Sequence, residues 1–262
     1  MTTGILGPGR ARVPERTQRQ DRWWLAPAVT FVVFMAFIVY STWRAFAGEF
    51  YYASPYLSPF YSPCLSTECV SGASDFGQPI SWFPLSPALL ILIFPLGFRL
   101  TCYYYRKAYY RAFWLSPPAC AVAEPHKSYT GERRFPLILQ NVHRWFLYAS
   151  VLVALVLTFD VVLAFRNAAH EWGHMGLGTL VLLVNVVLIW GYTLGCHSCR
   201  HIIGGRLRSF SKHPIRYRMW GWASWFNARH GQWAWASLIS VALADLYVYL
   251  LATGTISDVR FF

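Results

Sequence analysis

Long apolar blocks separated by polar or irregular stretches set the pattern of this chain. Five blocks, residues 24–43, 85–105, 145–165, 175–195 and 233–251, have the roughly 20-residue length that carries an α-helix across a hydrocarbon core of about 30 Å. Backbone groups in lipid must be hydrogen-bonded within their own segment, so all five are predicted as helices. Trp23, Trp24, Trp43, Trp145, Trp172 and Trp233 stand at block ends, where an aromatic belt meets the headgroups. The predicted fold is an all-α integral membrane bundle of five transmembrane helices. Residues 1–22 form a polar arm, 23–254 one membrane domain and 255–262 a tail.

Composition agrees with that pattern. Of 262 residues, 56% are hydrophobic and 13% charged, against about a quarter charged in soluble domains. A net charge of +12 would suggest nucleic acid in a soluble protein, but here its distribution has another cause. Arg10, Arg12, Arg16, Arg19 and Arg22 precede the first block, and residues 45–82 hold no Lys or Arg. Arg106, Lys107, Arg111, Lys127, Arg133 and Arg134 follow the second block, and Arg206, Arg208, Lys212, Arg216, Arg218 and Arg229 lie between the fourth and fifth. The alternation by loop puts the N-terminus in the cytoplasm and the C-terminus outside, with Arg44 the exception nearby. The Arg-rich start is polar for too long, and the first block too long, for a cleavable signal peptide.

The outer loop 45–83 reads as irregular but aromatic enough to pack. The inner segment 106–136 contains Pro117, Pro118, Pro125 and Pro136, which exclude one long helix. The basic stretch 201–229 is interrupted by Gly204, Gly205 and Pro214. Cys64 and Cys69 fall on the outer side, where an oxidising compartment favours a disulfide. Cys102, Cys120, Cys196 and Cys199 fall at or beyond the inner face.

The densest chemistry is the run Cys196-His197-Ser198-Cys199-Arg200-His201 at the inner end of the fourth block. Counted at about 1.5 Å per residue, Cys196, His143, His230 and Cys102 come to nearly one depth. Thiolate with imidazole suits zinc or iron–sulfur chemistry, and two Cys with two His is the Rieske pattern of a [2Fe-2S] cluster. If the fourth helix runs on, Cys196 and Cys199 share a face and His197 and His201 share another. At least one ligand must then come from His143 or His230. The predicted set is Cys196 and Cys199 on one iron and two of His143, His230 and His201 on the other, with Cys102 and Cys120 in reserve. A single b haem between His143 and His230 is the alternative, and buried thiols beside interfacial histidines the structural one.

A second motif, His170-Glu171-Trp172-Gly173-His174, spells H-E-x-x-H, which on a helix gives the zinc ligands and general base of a metalloprotease. It falls in a short outer loop with no obvious third ligand. Asp160, Asn185 and Asp245 lie within the blocks, where polar groups are costly and face the bundle interior. They read equally as helix glue or as proton carriers.

The segments Arg99-Leu100-Thr101-Cys102-Tyr103-Tyr104-Tyr105-Arg106-Lys107, Asn141-Val142-His143-Arg144, Cys196-His197-Ser198-Cys199-Arg200-His201 and Asn227-Ala228-Arg229-His230 together resemble the single-chain membrane anchor of an actinobacterial succinate dehydrogenase or fumarate reductase. The resemblance implies a flavoprotein and an iron–sulfur subunit as partners on the cytoplasmic face of the bacterial inner membrane, and a quinone site near that face. Arg144, Arg229 and Trp222 are the expected quinone contacts. Many anchors of that family hold haem with histidines inside their spans, and no span interior here has one, which favours a single iron–sulfur centre over two haems. A non-catalytic scaffold is the remaining reading, and the oligomeric state is left open, a higher oligomer included.

Overall fold

The computed structural model describes residues 19–65, 73–77, 86–125, 133–135 and 137–262. Most of the N-terminal arm and Cys69 lie outside the described residues. The last part of the arm is pinned: Arg19 pairs with Asp21 and donates to the Cys120 carbonyl at 2.8 Å.

Helix α1 spans Leu25–Ala47 and closes on Gly48, whose φ of 68° is the left-handed cap that glycine supplies at low cost. A two-stranded antiparallel hairpin follows, β1 Tyr52–Ala53 with β2 Tyr56–Leu57, in the register Tyr52↔Leu57 and Ala53↔Tyr56. Next come α2 (Ala88–Ile91), α3 (Ile93–Leu100), α4 (Tyr103–Phe113) and a 3₁₀ turn Leu137–Val142 that runs into α5 (His143–Leu163). Helices α6 (Leu177–Leu194), α7 (His197–Gly204), α8 (Pro214–Ala228) and α9 (His230–Ala252) complete the described chain.

Four helical stretches are long and apolar enough to cross a membrane, Leu25–Ala47, Leu137–Leu163, Leu177–Leu194 and His230–Ala252. They agree with the predicted first, fourth and fifth blocks to within about one turn, and the third starts eight residues before its predicted block because it includes the 3₁₀ turn ahead of α5. The predicted second span, 85–105, needs correction. It is a broken element in which Ala88–Leu100 and Tyr103–Phe113 are bent by 81°, so five spans result only if that pair counts as one. Pro95 has no N–H for the Ile91 carbonyl, and the helix is interrupted at Leu92 between α2 and α3. Cys102 is then extended (φ −69°, ψ 132°), and the aromatic and basic run Tyr103–Lys107 starts a new helix in a new direction. The stretch 201–229 is interrupted where expected, α7 ending at Gly204 and α8 starting at Pro214, and is helical on either side. Pro214 opens α8 in its first turn, a position where its missing N–H costs nothing.

Helices α5, α6 and α9 form the centre of the bundle, and the loop after α1 is folded into one end of it. Tyr56, Leu57, Phe60, Tyr61 and Cys64 of that loop are buried. Its hydroxyls meet the intramembrane carboxylates: Ser58 donates to Asp245 and Ser62 to Asp160. Asp245 also takes Arg44 Nε at 2.8 Å and the Tyr40 hydroxyl at 2.5 Å, while Asn185 accepts from Ser240 at 2.9 Å. The three polar span residues therefore pair with neighbours and not with one another, as helix glue does.

The α3–α5 contact depends on Gly97, because a Cβ built there would overlap the Phe146 ring. Gly97→Leu is expected to lower stability by about 1–3 kcal/mol through overpacking, read as a lower unfolding temperature of the detergent-solubilised protein. Gly221→Ala, where a Cβ meets nothing within 4 Å, is expected not to lower it. Equal midpoints for wild type and Gly97→Leu would show that α3 and α5 separate freely.

Candidate metal centre

The four residues expected at one depth are brought together at chain breaks. Cys102 is the extended residue at the 81° bend, and Cys196 the extended link between α6 and α7, fully buried. His143 is the first residue of α5 and His230 the first of α9. Helix starts and sharp bends fix backbone position while leaving side chains free to converge, and here they give two thiol–imidazole pairs. His143 Nε2 lies 3.1 Å from Cys196 Sγ, and His230 Nε2 3.5 Å from Cys102 Sγ. Both cysteines belong to one buried core cluster with Phe98 and Tyr192.

The surroundings orient the donors. The Thr101 hydroxyl donates its hydrogen to the Gly97 carbonyl at 2.7 Å and lies 2.8 Å from His143 Nδ1. It therefore accepts from Nδ1–H, which leaves the Nε2 lone pair facing Cys196. Phe98 stacks on the His143 ring (4.7 Å, 5°) and Tyr192 on the His230 ring (4.9 Å, 12°). His230 Nδ1 is buried without a hydrogen-bond partner among the described residues. Gly195 permits that packing, since a Cβ there would stand 3.0 Å from His230 Nδ1.

Cys196 Sγ accepts from the Ser198 N–H at 3.3 Å. Burial pushes its thiol up to about 11, against the backbone N–H groups of Cys199 and Ser198, which favour the thiolate. Burial likewise raises the Cys199 thiol.

The remaining predicted residues lie elsewhere. The fourth helix does not run on through Cys196, so Cys196 and Cys199 do not share a helical face, whereas His197 and His201 remain one turn apart on α7. Cys199 packs against the core cluster, half-buried on α7. His201 is exposed, its Nδ1 2.6 Å from Arg144 Nη2. Arg229 is exposed with its guanidinium 4.5 Å from the Trp225 ring centre, and Trp222 is 65% exposed. Cys120 is exposed and free. Cys64 is disulfide-bonded, and its expected partner Cys69 lies outside the described residues.

Among the described residues no group of three or more His, Cys, Asp or Glu is arranged to hold a metal ion; the donors at this end meet in twos. The H-E-x-x-H segment is not helical. His170 has φ 64° and Glu171 is held by the Asn167 side chain at 2.7 Å, so the two histidines are not presented one turn apart.

Sequence reasoning overlooked Arg99, although a cation inside a predicted span is itself a signal. Its guanidinium donates to the Tyr105 hydroxyl and, at 3.2 Å, to Ser237 Oγ, and lies 4.9 Å from the Tyr192 ring centre.

A family model described as actinobacterial succinate dehydrogenase subunit SdhC matches residues 25–254. The chain belongs to that family. It is also similar, at 55% identity with both chains fully covered and a TM-score of 0.87, to a chain in the solved Mycobacterium smegmatis Sdh1 complex in the apo form. No curated protein matches. The chain is thus a multi-pass membrane subunit of a succinate dehydrogenase, not catalytic alone, and the metalloprotease alternative falls with its motif.

Proposed function

We propose that this subunit carries electrons from an iron–sulfur partner to quinone through a centre held by Cys102, Cys196, His143 and His230. The observation that carries the proposal is the buried meeting of two thiols and two imidazoles, with the His143 Nε2 lone pair aimed at a thiol and His230 Nδ1 unused. Two ligands per metal is what a binuclear cluster takes, and two Cys with two His fits the Rieske type. Cys102 takes the place that the sequence pattern gave to Cys199. When bound, such a group supplies one-electron transfer at a potential raised by its imidazole ligands.

The protein side of the proposal is specific. Thr101 fixes the His143 tautomer, the Ser198 and Cys199 N–H groups favour a Cys196 thiolate, and Phe98 and Tyr192 exclude water from the imidazoles. A haem between His143 and His230 fits less well, because each ring has an aromatic flat against it and a thiol within 3.5 Å. Oxidation of one succinate to fumarate by a partner flavoprotein releases two electrons and two protons. One quinone takes up two electrons and, from water, two protons, one on each carbonyl oxygen. The Lys/Arg alternation puts the metal-centre end on the cytoplasmic side, where the two soluble subunits dock against the basic and aromatic surface of α7 and α8.

Electron paramagnetic resonance of the intact complex, reduced with succinate, tests this. A low-g Rieske signal is expected in the wild type and is expected to vanish in His143→Ala/His230→Ala together with quinone reduction. Haem absorbance without that signal, or zinc as the bound metal, would overturn the reading.

A further inference from the structure

We infer that Arg99 is the counter-charge of the metal centre and raises its reduction potential. This inference rests on the electron-transfer reading above and adds the residue that sets how readily the centre accepts an electron. Arg99 lies at the inner end of α3, shortly before the bend at Cys102. A cation near a span end ordinarily snorkels towards the headgroups. Here it does the opposite. Its guanidinium reaches α9, donating to the Ala234 carbonyl at 3.4 Å and to Ser237 Oγ at 3.2 Å. Both residues are buried and lie further into the bundle than His230, the first residue of that helix.

The groups that hold the guanidinium there are neutral. It donates to the Tyr105 hydroxyl and lies 5.5 Å from the Tyr105 ring centre and 4.9 Å from that of Tyr192. Among the described residues no carboxylate pairs with it. Arg44, towards the opposite end of the bundle, shows the difference, since it has the buried Asp245 carboxylate at 2.8 Å. An intramembrane cation without an anion is costly, and aromatic faces and hydroxyls offset only part of that cost. The missing anion is supplied by the thiolates of the centre. The two rings beside Arg99, those of Tyr105 and Tyr192, interact electrostatically with Cys102 as well, and the Arg99 charge is felt at the His230 imidazole.

That charge has a definite direction of effect. When the iron–sulfur partner passes one electron to the centre, the centre gains one negative charge, and a fixed cation in a medium of low dielectric constant favours the reduced form. The potential of such clusters follows the net charge and the hydrogen bonds around them. A guanidinium has donors and no lone pair to offer a metal. Arg99 therefore tunes the centre through its field and takes no part in ligation.

Potentiometric titration of the intact complex, read by the amplitude of the low-g signal, provides the test. Arg99→Gln is expected to lower the equilibrium constant for one-electron reduction of the centre about tenfold, a fall in midpoint of about 59 mV. Arg99→Lys keeps the charge and loses the fork of donors, and is expected to recover most of that fall. Ser237→Asp sets a carboxylate beside an unaltered guanidinium, cancels its charge and is expected to lower the constant about tenfold as well. It carries the test where Arg99→Gln does not assemble. An unmoved midpoint in either variant would overturn the inference. So would an equal fall in Arg99→Lys, because the effect would then follow the hydrogen bonds and not the charge. A wild type lacking the low-g signal defeats the electron-transfer reading, whereas an unmoved midpoint with the signal present defeats the role of Arg99 alone.

Discussion

Cys102→Ala is expected to abolish both succinate-driven quinone reduction and the low-g signal, whereas Cys199→Ala is expected to retain both. The two cysteines are equally plausible in sequence, and Cys199 has the better spacing to Cys196. The difference arises from the backbone. Cys102 is the single extended residue between two helices bent by 81°, so its side chain is delivered to the bundle interior, 1% exposed and 3.5 Å from His230 Nε2. Cys199 sits on α7, whose start is capped by Cys196 itself: the Ser198 N–H points at Cys196 Sγ. The Cys199 backbone N–H thereby supports the neighbouring sulfur. Cys199→Ala keeps that N–H, whereas removing a ligand costs more than the roughly 10–100-fold typical of an outer-shell partner. Cys199→Ala is therefore expected to weaken activity only modestly, and Cys102→Ala to eliminate it. Spectra and quinone-reduction rates of the purified complexes read both effects. Activity surviving in Cys102→Ala and lost in Cys199→Ala would return the ligand to the position that the sequence pattern favours.

The contrast shows what the sequence could and could not carry. Four span stretches were legible because 18 or more consecutive apolar residues have few other solutions. The convergence of Cys102, His143, Cys196 and His230 was legible for the same reason, since depth in a helical bundle is counted along the chain. Rotation and chain breaks were not. Assuming a continuous fourth helix placed Cys199 beside Cys196, yet the chain leaves helical geometry at Cys196 (φ −63°, ψ 139°) and starts afresh. Likewise, the hydropathy of 85–105 gives no sign of a bend at Cys102, because apolar and aromatic residues continue through it. Arg99 was passed over for a related reason: a cation near a span end reads as interfacial until the bend shows that the chain has turned inward. The outer loop was legible as aromatic enough to pack, but its pairing was not: only the fold shows that Ser58, Ser62 and Tyr61 complete the buried polar network.

That network leads to the largest expected effect on stability. Arg44 and Asp245 are paired at 2.8 Å with both side chains fully buried, and five further groups bond to these two residues. Tyr40 and Ser58 donate to the Asp245 carboxylate. The Arg44 guanidinium donates to the carbonyls of Glu49 and Phe50 at 3.2 and 3.3 Å. Tyr61 donates to the Arg44 carbonyl at 2.5 Å. Asp245→Ala leaves a guanidinium in the bundle with no counter-charge and is expected to cost about 3–5 kcal/mol, lowering the unfolding temperature by roughly 10 °C or more. Arg44→Met/Asp245→Leu removes both charges together and is expected to recover most of the loss, because the penalty lies in the unpaired ion more than in the missing attraction. Asp160→Asn is the milder comparison, since Asp160 accepts from the Ser62 hydroxyl and pairs with no cation among the described residues. Thermal unfolding of the solubilised complex orders the three variants, and equal midpoints for Asp245→Ala and the wild type would show that the pair contributes nothing. Only Phe34, Arg44 and Ala45 of α1 are buried, so the Arg44 pair is a principal tie between this helix and α9. Losing the tie is therefore expected to loosen α1 from α9 in Asp245→Ala at temperatures where the complex remains folded.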